Sequence, residues 1–373
     1  MRNPGDIHVW APAFDTFGGG IGAFSRAAVE AFRSTDVGLD LFGRFDPASA
    51  TFSGLPVKGG SLSKGVHAKA NFFMVAGSAA LLRRPKTLLT THVNFAPVSR
   101  VACQLSGARH YIAAHGVEIA PSLSDSRIAA LKSARAVLAV SQWTRSRLID
   151  LGVEPAHIAV VGNTVDECRF NVISDRQRAR ETWGIQHNHF VLTTVARHDA
   201  SEAYKGCDTV LHALAKLTPE DRRDLRYLVG GTGSDIPRLR QLTHDLGLND
   251  HVRWLGFVPE LQLPSLYGMS DAFVMASRGE GFGIAFLESM ACGTPVIGGD
   301  ADGSVDALQA GWLGRLIDPD EPESLTSAIV ELHSGQGHAH WFDRSALRRE
   351  MLMQHGREVF ADRILQAINM GAG

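Results

Sequence analysis

Two glutamates, Glu280 and Glu288, stand with seven residues between them in the stretch AFVMASRGEGFGIAFLESMACGTPVIGGD. Its pattern reads as an apolar strand (272–276), a glycine-bearing polar loop (277–283), a helix (284–292), a Gly-Thr-Pro turn and a second apolar strand ending at Asp300. At about 3.6 residues per turn Glu288 lies roughly one turn inside the helix, and Glu280 sits on the approach to it. Both carboxylates can therefore face one ligand across the helix mouth. Gly281 and Gly283 let the backbone come close to that ligand, and the free N–H groups of the first turn can receive its oxygens. A bare Glu pair at this spacing also fits two solvated side chains; the glycine loop and the turn attached to it favour the ligand. A second constellation is cationic: Arg197 directly follows the apolar run 190–196, and Lys205-Gly206 comes a little later. Ligands of parallel α/β sheets gather at the carboxyl ends of strands. There, a planar Arg fork and a mobile Lys point charge suit a diphosphate.

The elements around these residues alternate. Strand-like runs at 7–11, 37–42, 87–91, 109–114, 136–140 and 158–161 are interleaved with helical segments such as 70–82 and 129–133, the mark of a doubly wound sheet. After the first strand come Asp15, Gly18, Gly19, Gly20 and Gly22, then a helical pattern over 23–32, so backbone amides are presented to an anion. A dinucleotide fold with Asp40 on a ribose is the rival there, but six residues, 12–17, separate strand from glycines where that fingerprint has none. His92 and His115 each follow a strand. Lys58, Lys64, Lys69, Arg83, Arg84 and Lys86 surround the apolar run 72–75, which fits either a core helix with solvated ends or a membrane-surface or lipid-acceptor patch.

Length and composition bound the rest. At 373 residues two domains are expected, and the first half is basic where the second is acidic. The four cysteines lack metal or disulfide spacing, and no stretch reads as a signal peptide or a membrane span. A cytoplasmic protein is expected, at most peripheral to the inner face of the membrane, with no nucleic-acid partner. His338 and His340 in GQGHAH have no third ligand at metal spacing, so that stretch reads as a loop.

The Glu280–Glu288 stretch resembles the E-x7-E signature of the retaining, nucleotide-sugar-dependent glycosyltransferases of family 4, whose GT-B type fold has two Rossmann-like doubly wound domains facing across a cleft. The resemblance implies that Glu280 meets hydroxyls of the donor sugar and Glu288 the ribose, with the amides around Phe282, Gly283 and Ile284 near the donor sugar and phosphates. It places Arg197 and Lys205 on the diphosphate, although His198 and Asp199 replace the usual apolar residue and the gap to Lys205 is about two residues longer than usual. Gly231 falls in the family's glycine turn, and Phe257, Val258 and Leu261 in the loop that holds the base. His115 corresponds to the histidine that contacts the donor sugar from the first domain. Gly19 and Gly20 are implied near the donor phosphates, and Asp15, Gly18 and His92 near the acceptor. NTVD resembles the N-G-V-D turn that closes the first domain, with Thr164 in place of glycine.

The implied layout is an acceptor-binding domain at 1–174, a donor-binding domain at 175–345, and a C-terminal segment, 346–373, crossing back to the first. The implied activity moves a sugar from GDP-mannose or a UDP-hexose to a hydroxyl acceptor, with a lipid-linked saccharide of cell-surface polysaccharide synthesis as the first candidate and with no metal or other cofactor. His115, Glu280, Arg197 and Lys205 are the implied catalytic set, with the cations stabilising the leaving diphosphate. For retention, front-face attack assisted by that phosphate is favoured over a covalent step through Glu280. An epimerase or hydrolase of sugar nucleotides, and a non-catalytic nucleotide-binding partner subunit, are the alternatives.

Overall fold

The computed structural model describes residues 6–14, 19–63, 65–120 and 122–369, so Asp15, Gly18 and Lys64 lie outside the described residues. The chain forms two compact units, Met1–Thr164 with Arg357–Gly373, and Val165–Gly356.

The first unit holds β1 (Ile7–Ala11), β2 (Leu39–Gly43), β3 (Thr51–Phe52), β4 (Leu55–Lys58), β5 (Thr87–Thr90), β6 (Arg109–Ala114), β7 (Ala136–Ala139) and β8 (Ile158–Val160). They line up as β3-β4-β2-β1-β5-β6-β7-β8. All pairs are parallel except the β3–β4 hairpin, which turns through Ser53 and Gly54, both at positive φ. Every residue of β1 and β5 is buried, as expected of strands covered on both faces. From β1 the chain moves outward to β2 and β4, then returns to β5 on the other side of β1. The segments following β1, β5 and β6 thus lead away from this reversal, and Gly19, His92 and His115 lie on them.

Asp40 in β2 is buried, with His8 at 3.3 Å, Lys58 at 2.5 Å and Arg83 at 2.6 Å. Burial would raise its carboxyl, but hydrogen bonds from His8 and Lys58 and the charges of Lys58 and Arg83 hold it well below the usual carboxylate range. An acid so engaged is an internal anchor of the sheet, which removes the ribose role of the dinucleotide reading. The same contacts take Lys58 and Arg83 out of the surface patch, and Lys86 pairs with Asp6 at 3.2 Å. The helix behind that patch, Val66–Arg83, buries only the stripe Phe72, Ala76 and Ala80.

The second unit holds β9 (Phe190–Val195), β10 (Leu225–Gly230), β11 (Val252–Gly256), β12 (Ala272–Met275), β13 (Val296–Gly299) and β14 (Arg315–Ile317), ordered β11-β10-β9-β12-β13-β14, all parallel. Here the order reverses between β9 and β12. Arg197 follows β9 and Glu280 follows β12, so the two constellations read from the sequence leave adjacent strands at one switch point.

The unit boundaries differ from those expected at 174/175 and 345/346. Residues 165–174 belong to the second unit because Phe170 is buried against Tyr267, with ring centroids 6.1 Å apart, and Arg348 donates to the carbonyls of Glu167, Phe170 and Ala291. Gly356 divides the C-terminal segment into the helices Arg344–His355 and Arg357–Asn369, so that only the second of them crosses back. A Cβ on Gly356 would lie 2.5 Å from the Leu352 carbonyl oxygen. The earlier helix stays with the second unit. The later one packs on Gly20–Arg33 in the first, Phe360 edge-on to Phe24 at 5.4 Å, while Tyr111 donates to the Ile368 carbonyl at 2.8 Å.

Candidate functional site

The loop after β12 is held by a carboxylate that lacks any local sequence signature. Asp302 is buried; its Oδ2 accepts from the Glu280 amide at 2.6 Å and the Ser277 hydroxyl at 2.8 Å, and its Oδ1 from the Ser304 amide at 2.9 Å. Gly303 donates to the Glu280 carbonyl at 2.9 Å, and a Cβ there would lie 2.0 Å from the Gly281 carbonyl oxygen. Two chain segments thus cross at van der Waals contact and fix the backbone of Glu280. Gly283, at φ 89°, leads into the helix Ile284–Ala291 with its first-turn amides, and a Cβ on it would strike the Phe286 ring. Phe282 turns inward, edge-on to His355 at 5.4 Å, so it offers a ligand its amide and not its ring. Ile284, the first helical residue, is half-buried.

Burial raises the Glu280 carboxyl; the Lys205 charge opposes the rise, and Asp302 and Glu202 add to it. Asp302 is raised as well, by burial, against the hydrogen bonds it accepts. Lys205, Glu202, Glu280 and Asp302 therefore form one electrostatic cluster. In it Glu202 ion-pairs with the Arg197 guanidinium and, at 2.9 Å, with the Lys205 ammonium. Both cations expected on a diphosphate meet the same acid. Glu202 lies inside the gap between them, and its type at that position was the only sequence signal for it.

The lengthened gap has its own supports. His198 is buried, with Nε2 3.1 Å from the Gly230 carbonyl; a carbonyl only accepts, so Nε2 carries the proton. Burial lowers its pKa. The Asp199 carboxylate accepts from the Ser234 amide at 2.9 Å. Gly231, at φ 120°, would place a Cβ 1.7 Å from the Ala196 carbonyl oxygen, and one on Gly206 would lie 2.0 Å from that of Ala276. The segments after β9, β10 and β12 thus touch backbone to backbone beneath Arg197 and Lys205.

Glu288 accepts from the Tyr267 hydroxyl at 3.1 Å; Tyr267 is buried, and its phenol is raised well above its ordinary value by burial and by the Glu288 charge. Phe257 and Leu261 are 73% and 87% exposed, available to a flat apolar partner. The Val258 side chain packs in the core with Ile185, Val191, Leu228, Leu266 and Met269, which leaves its main chain for a ligand.

In the first unit His115 is buried, Nε2 2.9 Å from the Thr91 carbonyl, its amide donating to Glu118 at 2.8 Å, and Phe24 edge-on at 5.1 Å. Nε2 is again the donor, which leaves Nδ1 the acceptor of the neutral ring. His92 lies 6.5 Å from it, ring to ring, and its Nδ1 accepts from the Asn94 amide at 3.0 Å. Burial pushes His92 down to about 4, helped by His115 and Arg127 and opposed by Glu118. Gly19, at φ 100°, caps the helix that starts at Gly20. His338 and His340 pack around Trp312, His340 at 4.4 Å and His338 at 5.0 Å. Among the described residues no group of three or more His, Cys, Asp or Glu is placed to hold a metal ion, and no helix is long and apolar enough to cross a membrane.

Residues 175–349 match the family model described as Glycosyl transferases group 1, and residues 65–169 match Glycosyltransferase Family 4. The chain is 31% identical over 240 residues to the GDP-mannose-dependent alpha-(1-6)-phosphatidylinositol monomannoside mannosyltransferase of Mycolicibacterium smegmatis, covering 61% of this chain and 62% of that protein. It is 33% identical over 205 residues to the D-inositol 3-phosphate glycosyltransferase of Acidothermus cellulolyticus, covering 52% and 45%. The matched stretches thus span less than two thirds of these relatives. Among solved structures, Anabaena HepE in complex with UDP-glucose superposes with a TM-score of 0.80 at 20% identity, over 98% of this chain and 99% of that one. Sucrose-phosphate synthase from Thermosynechococcus elongatus gives 0.76 at 19%, over 100% and 98%. At such identities the likeness is one of fold, the GT-B type with two Rossmann-like units. Two adjoining family models, a shared fold and the Glu280–Glu288 loop agree: the chain belongs to the family 4 glycosyltransferases.

Proposed function

We propose that this protein transfers a hexose from a nucleoside diphosphate sugar to a hydroxyl acceptor, with retention at the anomeric carbon. The observation that carries the reading is the convergence of Arg197, Lys205 and Glu280 at the β9/β12 switch point, above glycine crossings that bring three backbones to one place. The leaving diphosphate gathers negative charge as its bond to the sugar breaks, and fixed cations and helix-start amides stabilise that charge without reorganising. In this reading Arg197 and Lys205 do the work that a divalent ion does in other transferases, so a chelator leaves turnover unchanged. Glu280 holds sugar hydroxyls, Glu288 the ribose, and Phe257 stacks on the base. GDP-mannose and UDP-hexoses are the donors to test. Replacing Glu280 by Gln slows transfer without trapping a sugar on the protein; a glycosyl-protein adduct in mass spectra would overturn front-face attack.

For the acceptor we propose a lipid-linked saccharide met at the cytoplasmic membrane surface. Between Asp46 and Glu118 the chain has no acidic residue and eight Lys or Arg. Over the same stretch Leu62, Val66, Met74, Leu82, Val101 and Leu105 are exposed. Asp40 and Asp6 engage Lys58, Arg83 and Lys86, and exposed apolar side chains beside the other basic positions of a stretch without acids fit an anionic bilayer. The protein is expected to sediment with phosphatidylglycerol vesicles and not with phosphatidylcholine vesicles; equal recovery from both would refute this surface.

The site itself is tested by thermal shift against UDP, GDP, ADP and dTDP. A ligand at about 100 times its Kd stabilises the folded state by about 2.7 kcal/mol. A shift with one nucleotide, lost in Lys205→Ala, supports the diphosphate site. No shift with any of them removes the donor reading, and donor consumption without acceptor would point to hydrolysis or epimerisation.

A further inference from the structure

The pairing of both cations with one acid calls for a physical account. Arg197 is 66% exposed, whereas Lys205 is 18% and Glu202 13% exposed. The Arg197 guanidinium therefore reaches in from solvent to an acid that Lys205 already flanks. Each Glu202 oxygen takes one cation: Oε1 the guanidinium and Oε2 the ammonium. That is the pattern by which two oxygens of a diphosphate would engage the same pair. Glu202 sits in the short 3-10 segment Ala200–Lys205 at φ −114°, ψ 21°, where the segment is kinked. Lys205 stands three residues further along that segment and Arg197 precedes it, so the kinked residue lies between the two cations in the chain and pairs with both. Its charge also extends beyond the pair, since it adds to the rise of the Glu280 carboxyl.

We infer that Glu202 is a resident counter-anion of the donor site: it holds Arg197 and Lys205 when no diphosphate is bound and competes with the diphosphate for them. The inference rests on the donor reading above and adds a residue that sets affinity. A diphosphate arriving at the cations must displace Glu202 or share them with it, so the site binds less tightly than two free cations would. The same competition helps expel the nucleoside diphosphate after transfer. In enzymes whose turnover is limited by product release, weaker product binding raises the rate. Glu202 acts through Arg197 and Lys205 and is thus a positioning residue, not a group that touches the reacting carbon.

The test compares wild type, Glu202→Gln and Arg197→Ala by calorimetric titration with the nucleoside diphosphate and monophosphate of whichever base shifts the wild type. Glutamine keeps the volume and removes the charge. Glu202→Gln is expected to bind the diphosphate about fivefold or more tightly, with the gain shrinking as salt rises, while monophosphate binding changes less than about twofold. Turnover at saturating donor is expected to fall as product lingers, with KM falling too. A merely structural role for Glu202 predicts weaker binding, because damage does not raise affinity. If Arg197→Ala weakens diphosphate binding but Glu202→Gln leaves it unchanged or weaker, the counter-anion role is wrong and the donor site stands. If Arg197→Ala binds the diphosphate like wild type, the donor reading itself fails and this inference with it. Melting of the unliganded variants verifies that each is folded.

Discussion

Replacing Asp302 is the sharpest probe of how the Glu280 loop is held. In Asp302→Ala three donors lose their acceptor: the amides of Glu280 and Ser304 and the hydroxyl of Ser277. The hydroxyl can turn to Ser304 Oγ, 3.2 Å away, so two buried N–H groups are left without a partner. Each orphaned donor costs about 1–3 kcal/mol. Part of that is offset, because the Asp302 carboxylate is itself strained by burial near Glu280, as its raised pKa records. The net loss is about 2–4 kcal/mol, a fall of roughly 5–15 °C in Tm for a unit of this size. Asp302→Asn separates charge from geometry. Its one amide oxygen can replace Oδ2 or Oδ1, and its NH2 then faces a donor, so about half the loss remains. Urea unfolding and donor turnover read both effects, and turnover is expected to fall further than stability because the displaced backbone carries Glu280. Stability and turnover of Asp302→Ala within error of wild type would refute the view that this carboxylate holds the loop.

Gly231→Ala and Gly247→Ala form a matched pair in chemical denaturation. Both sites have positive φ, but a Cβ at 231 meets the Ala196 carbonyl at 1.7 Å while 247 is open, so the first is expected not to fold and the second to lose only about 1 kcal/mol. His110 sets an acid limb. It is buried, with Nε2 2.7 Å from the Ser99 hydroxyl and Nδ1 without a partner, and burial followed by the Arg100 charge pushes it down to about 4 from 6.5. A depressed base contributes stability that is present above pH 6.5 and lost as pH falls from 6.5 to 4; His110→Gln is expected to flatten that limb by roughly 2–3 kcal/mol. Tyr267→Phe removes the hydroxyl that steadies Glu288 and is expected to raise donor KM about three- to tenfold with kcat little changed.

What was legible in the sequence was what the chain encodes locally. The unit 272–300 follows from an apolar run, a glycine loop, a helical period and a second run, each a short-range signal, and Arg197 announces itself by standing at the end of one such run. Contacts made through the fold left no such trace. Asp302 reaches Glu280 across 22 residues, because Gly303 allows two backbones to cross. Gly356 reads as one glycine in a helical period, yet the helix breaks there, because its Cβ-free backbone fits against Leu352 as the chain passes from one unit to the other. Asp40 is the converse case, a rival reading that the glycine spacing already disfavoured. Its position near a strand end suited a ribose, and only the three bases packed around it reveal an internal ion cluster. In each case residue type restricts the chemistry available, and the partner that settles it comes from another strand or loop. Glu202 combines both situations: it lies within reach of Arg197 and Lys205 by sequence, but that one carboxylate pairs with the two at once is visible only in the folded segment Ala200–Lys205.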